Sequence, residues 1–124
     1  MNSPTVWIAQ EPMRKENGTW VSKGLDIASA NMYGEVQIVW GPDASILGRA
    51  EVENIAVRAA MKYDPSQDYV VALGSPSLIA MLAWAIGCEK KTLRILEWDR
   101  ALQRYYPTLR STLQQSERNI NGNR

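Results

Sequence analysis

Apolar residues fall in two rhythms along this chain. Short unbroken runs closed by turn formers read as strands: Thr5 to Ala9, stopped by Gln10-Glu11-Pro12; Glu35 to Trp40, stopped by Gly41-Pro42-Asp43; Tyr69 to Leu73, stopped by Gly74-Ser75-Pro76; and Leu93 to Trp98. The run at 69–73 offers no polar face, as expected of a central parallel strand covered on both sides. The second rhythm is helical. Val52, Ile55, Ala56, Ala59, Ala60 and Tyr63 recur at three and four, predicting an amphipathic helix over 49–63 that Asp64-Pro65 stops. A second helix should begin at Pro76, with Ser75 as its N-cap, and end near Gly87. Leu78, Ile79, Met81, Leu82, Trp84 and Ile86 surround it almost completely. It is therefore either sandwiched or half of a subunit interface.

Between these elements the signals weaken. Met13 to Gly24 is polar and broken by Asn17-Gly18, a loop or hairpin excursion with a small strand at 19–21. Asp26 should cap a short helix through Met32, ended by Gly34. Residues 104–109 form a further strand, so close behind 93–98 that the two should be an antiparallel hairpin, with Asp99 as a turn former. Strand–helix–strand alternation predicts an α/β fold with a small, mostly parallel sheet, flanking helices and an antiparallel C-terminal edge hairpin. At 124 residues one domain suffices, over 1–110, followed by a polar tail over 111–124 expected to be disordered.

Composition narrows the function classes. Fourteen basic and thirteen acidic residues leave a net charge of +1, so no global field holds a polyanion. With no histidine and one cysteine, Cys88, the ordinary zinc sites, imidazole acid–base catalysis and an internal disulfide are excluded. No cofactor or metal is implied. The N-terminus lacks a secretory pattern and no apolar stretch is long enough to span a bilayer, which points to a reducing cytoplasm, without a membrane partner.

Three places carry candidate chemistry, each with a plainer explanation. The Gly74-Ser75-Pro76-Ser77 turn would present free N–H groups and hydroxyls at the carboxyl end of a buried strand, where a phosphate or nucleotide could sit. Asp43 and Ser45 would lie nearby if the preceding strand is a neighbour, and Arg100 would be the counter-charge from the next strand end. A lysine and the second glycine of a phosphate loop are missing, and the turn is equally a simple helix start. Arg94, Arg104, Tyr106 and Arg110 interleave bases with rings on the terminal hairpin, suiting single-stranded nucleic acid, although alternation sends Tyr105 and Leu109 into the core. Leu78, Met81, Leu82 and Trp84 are the candidate self-association surface. No carboxylate pair has catalytic or metal-ligand spacing, so no catalytic residue is assigned and an enzyme is disfavoured.

Three blocks carry a resemblance over about residues 25–109. These are Leu25-Asp26-Ile27 through Tyr33-Gly34-Glu35; Asp64-Pro65 with Asp68-Tyr69-Val70-Val71-Ala72-Leu73-Gly74-Ser75-Pro76; and Leu96-Glu97-Trp98-Asp99-Arg100 with Arg104-Tyr105-Tyr106-Pro107. In order and spacing they resemble a family of small proteins of tailed bacteriophages. Ser75 departs from that pattern, where aspartate or asparagine is frequent. The resemblance implies a phage accessory protein and supplies no catalytic residues. The reading it leaves is a non-enzymatic protein that binds a macromolecular partner and self-associates, acting in the host cytoplasm.

Overall fold

The computed structural model describes residues 3–22 and 27–112. Five strands make one sheet: β1 (Thr5–Gln10), β4 (Glu35–Trp40), β5 (Tyr69–Val71), β6 (Thr92–Asp99) and β7 (Arg104–Thr112). They are ordered β4-β1-β5-β6-β7, with every pair parallel except the closing β6–β7 hairpin. The mostly parallel sheet with an antiparallel C-terminal edge thus forms as the apolar runs imply. Helix α1 (Arg49–Lys62) connects β4 to β5, and α2 (Pro76–Lys90) connects β5 to β6.

Period-two alternation divides the core between the sheet's two faces. Trp7, Ala9 and Val70 face α1 and α2, meeting Ala56, Ala59, Ala60, Leu82, Ala85 and Ile86. Val6, Ile8, Val71 and Leu96 face the other way, with Tyr105 and Ala30 of a 3₁₀ helix, Ala28–Tyr33. Strands loaded on both faces cannot afford a polar side, so β1 reads as a continuous apolar run.

Several boundaries shift. Helix α2 continues through Gly87 to Lys90, and Lys91, at φ 60°, ends it by donating its N–H to the Gly87 carbonyl. Glycine late in the helix weakens it without stopping it, and a left-handed lysine supplies the cap expected of Gly87. Strand β5 ends at Val71 because Leu73 N–H folds back onto the Val71 carbonyl. The excursion after β1 is a full hairpin, β2 (Met13–Glu16) and β3 (Thr19–Ser22). Asn17 and Gly18 at its tip both have positive φ, the mirror-image turn that matches strand twist. The short helix before β4 is 3₁₀, and Asp26, its expected cap, lies outside the described residues, as do 113–124 of the polar tail.

Candidate functional site

Among the described residues, the order β4-β1-β5 creates the one place where the chain reverses its direction of travel across the sheet. From β1 it runs out to β4 and then returns to β5 on the other side of β1. Connections therefore diverge at the carboxyl ends of β1 and β5, the position where open α/β sheets bind ligands. Here β1 ends at Gln10 and β5 leads into Gly74-Ser75.

Gln10 bridges that crevice. Its N–H extends the sheet by donating to the Leu73 carbonyl at 3.0 Å. The side-chain amide spans the divide, donating through Nε2 to the Gly41 carbonyl at 3.0 Å and accepting the Ser75 N–H on Oε1 at 3.1 Å. Gly74 has φ +111°, and a Cβ there would lie 2.9 Å from the Gln10 carbonyl oxygen. Only glycine admits this close approach.

Two grooves open on either side of the Gln10–Ser75 contact. One, of about 410 Å³, lies between the start of α1 and the start of α2, lined by Ala44, Leu47, Val52, Leu78 and Met81 with Arg49, Ser75 and Ser77. The other, about 340 Å³, is lined by Glu11, Pro12, Met13, Trp20 and Pro42 together with Gly74 and Ser75. Trp20 is brought there by the β2–β3 hairpin, and its indole N–H donates to Asp43 Oδ1 at 2.8 Å.

The sequence-predicted turn residues Gly74, Ser75 and Ser77 thus border the crevice, but their surroundings differ from expectation. Ser75 stands at the N-cap position without a side-chain capping bond. Proline at the first helical position already removes one of the orphan donors a cap would satisfy. Asp43 is bonded to Trp20, and β1 separates the strand before it from β5. Arg100 sits exposed in the β6–β7 turn and lines neither groove. The arginine at the crevice is Arg49, extended into solvent and paired with Glu53 at 3.2 Å. Sequence reading missed Gln10, because a glutamine ending a strand looks like a turn residue until the neighbouring strand is known.

The terminal hairpin also disperses its apparent cluster. Arg94 turns inward, its guanidinium carbon 4.2 Å from the Tyr69 ring centroid and Nη2 donating to the Tyr69 hydroxyl at 2.6 Å. Tyr69 meets Tyr33 edge-on at 5.6 Å, and Tyr33 donates its hydroxyl proton to the Tyr105 carbonyl. Arg104 and Tyr106 are exposed, but lie across the ladder from Asp99 and Glu97. Arg110 stands in β7 opposite Arg94, and its side chain falls outside the described residues. Asp99 does form the turn, Oδ1 accepting the N–H groups of Ala101 and Leu102.

Along α2 the four expected surface residues separate. Leu82 is fully buried in the chain's own core, and Leu78 and Met81 are half-buried in the apolar groove. Trp84 is 72% exposed.

A hydrogen-bonded knot of titratable groups lies at the opposite, amino-terminal edge of the sheet. Asp68, buried, accepts N–H bonds from Thr5 at 2.8 Å, the Trp7 indole at 3.0 Å and Asp64 at 2.8 Å. Tyr63 donates to the Asp68 carbonyl and accepts the Arg94 N–H, and burial pushes its hydroxyl up to about 12. The Ser66 hydroxyl, then its N–H, hold the exposed Asp64 carboxyl below its usual range. These groups join β1, β5 and β6 through their hydrogen bonds, and Tyr63, Asp64 and Asp68 line neither of the two grooves at the opposite edge. Among the described residues no cluster of three or more histidine, cysteine, aspartate or glutamate side chains could hold a metal ion.

Fold and crevice together define a doubly wound α/β protein whose switch-point crevice is bridged by its own glutamine. Residues 4–111 match the family model described as Phage Pam3 gp32-like protein, and the chain belongs to that family of phage proteins. No curated protein and no solved structure matches the chain. Among the described residues no helix is long and apolar enough to cross a membrane.

Proposed function

We propose that this phage protein acts without catalysis, as an accessory protein that binds a macromolecular partner through the outer face of α1 and α2. The observation that carries the reading is exposed bulk on adjoining helices: Trp84 at 72%, Met61 at 60% and Val57 at 50%. A solvated tryptophan on one helix and exposed aliphatic side chains on the helix it packs against have the composition of a protein-binding hot spot. The apolar groove at the start of both helices adds a recess for a partner's side chain, with exposed Ile46 beside its lining residues Ala44 and Leu47. With its single cysteine, the protein is placed by this reading in the reducing host cytoplasm.

The competing classes have less in their favour. An anion above Ser75 would meet an N–H already donated to Gln10 and a carboxylate, Glu11, in the adjoining groove. Single-stranded nucleic acid on the terminal hairpin would meet Asp99 and Glu97 beside Arg104 and Tyr106. Calorimetric titration with inorganic phosphate and with ATP should give no binding heat, whereas saturable heat would favour the small-anion alternative. The principal test is affinity capture from phage-infected cells with the wild type and Trp84→Glu as baits. Proteins held by the wild type should be lost from the variant, and an unchanged set would overturn the reading.

A further inference from the structure

The charges around the exposed apolar face suggest what covers it. Val57 and Met61 lie four residues apart on the solvent side of α1, with exposed Asn54 completing the row. The two flanks of that row differ. Toward α2 lie Arg49 and Val52, which border the groove shared with Leu78 and Met81. Toward β4 lie Arg58 and Lys62, which border a recess with Gln37, Ile38 and Val39. Glu51, seven residues before Arg58 and eleven before Lys62, falls on this same flank by helical periodicity.

The β4-side flank is therefore acidic at the start of α1 and basic at its end. Glu51, Arg58 and Lys62 make no ion pair among the described residues. In an isologous two-fold pairing of antiparallel helices, each flank meets the same flank of the other copy, running in reverse. A surface acidic at one end and basic at the other is complementary to itself in only that arrangement. A parallel two-fold would instead set this flank against the α2-side flank of the other copy, where Arg49 is already paired with Glu53.

We propose that the partner covering this face is a second copy of the chain, α1 packing antiparallel on α1 with the two-fold axis close to Val57. This rests on the partner-binding reading above and names the occupant. Glu51 then lies opposite Lys62 of the partner subunit, Asn54 opposite Met61 of the partner subunit, and the two Val57 side chains meet at the axis. Because the α2 side of each copy also meets the α2 side of the other, Trp84 is covered in the same event. Helices of 14 and 15 residues give a face roughly 20 Å long and two helices wide. That area is at the small end of specific interfaces, so association is expected at about micromolar concentration.

Sedimentation equilibrium of the full chain, from about 1 to about 200 μM, tests this. The wild type should move from the 13.9 kDa chain mass toward twice that value. Glu51→Lys should raise the dissociation constant roughly tenfold, Lys62→Glu should do the same, and the double variant should recover most of the loss, since reversal at both positions restores the pairing. Val57→Glu, which sets two carboxylates at the axis, should remain a monomer across the range with an unchanged circular dichroism spectrum. A wild type monomeric throughout would overturn the second-copy proposal, and a dimer indifferent to the single reversals, or unrescued by the double, would overturn the antiparallel arrangement. Either result leaves the partner-binding reading to the Trp84→Glu capture, which fails on a different measurement.

Discussion

Asp68 shows how one residue can close a parallel sheet at its blunt end. Its carboxylate accepts the first N–H of β1, the Trp7 indole and the Asp64 N–H, joining the sheet to the turn after α1. An amide there has one oxygen and presents its own N–H₂ to donors. Asp68→Asn should therefore lower stability by about 3 kcal/mol, read as a shift in urea midpoint at unchanged slope. Tyr63 adds a pH dependence from the same knot. Its folded value of about 12 exceeds the ordinary 10.0, so its contribution is complete below about pH 10 and fades as pH rises toward 12. The stability gap between wild type and Tyr63→Phe should narrow between about pH 10 and about pH 12, and a constant gap would show that the hydroxyl does not titrate this way. At the other edge, Gly74→Ala combines a positive φ with a clash against Gln10 and should cost about 3 kcal/mol. The contacts of Asp68 with Thr5 and Trp7 and of Gly74 with Gln10 were not legible beforehand, since each joins residues more than sixty positions apart and depends on which strands are neighbours.

The elements were legible to differing degrees, and the reason is how strongly each is loaded. Strands 5–9 and 35–40, the amphipathic helix from 49 and the hairpin of 93–98 with 104–109 follow from apolar runs and turn residues, because burial on known faces leaves the chain no other periodicity. The β2–β3 hairpin was only half legible. Its first strand, Met13-Arg14-Lys15-Glu16, is polar and packs on little, so pattern alone could not show it. A hairpin of this kind needs a tether, and Trp20 to Asp43 supplies one. Trp20→Phe keeps an aromatic ring but removes the donor. Amide exchange should accelerate several-fold in residues 13–22 and stay unchanged in β1 and β5, whereas equal protection throughout would mean the hairpin is held by other contacts. Helix α2 posed the opposite problem. Its apolar circumference announced two partners but could not say which residues belonged to which, and the sheet claims Leu82 and Ile86 while Trp84 is left to solvent.

Across the whole molecule, the features that usually mark chemistry and those that mark association sit apart. The switch-point crevice has the right position for a ligand, yet Gln10 occupies its hydrogen bonds. The exposed tryptophan and aliphatic side chains lie on the helical layer instead, away from the exposed charges of the β6–β7 edge. On the proposed reading, the sheet is a platform whose helix side is the working surface. Photocrosslinking during infection tests that most directly. A photoreactive amino acid in place of Met61 should yield covalent protein adducts, including one at twice the chain mass, while the same group in place of Arg104 on the terminal hairpin should yield none. Adducts from position 104 with position 61 silent, whether to protein or to nucleic acid, would contradict the account.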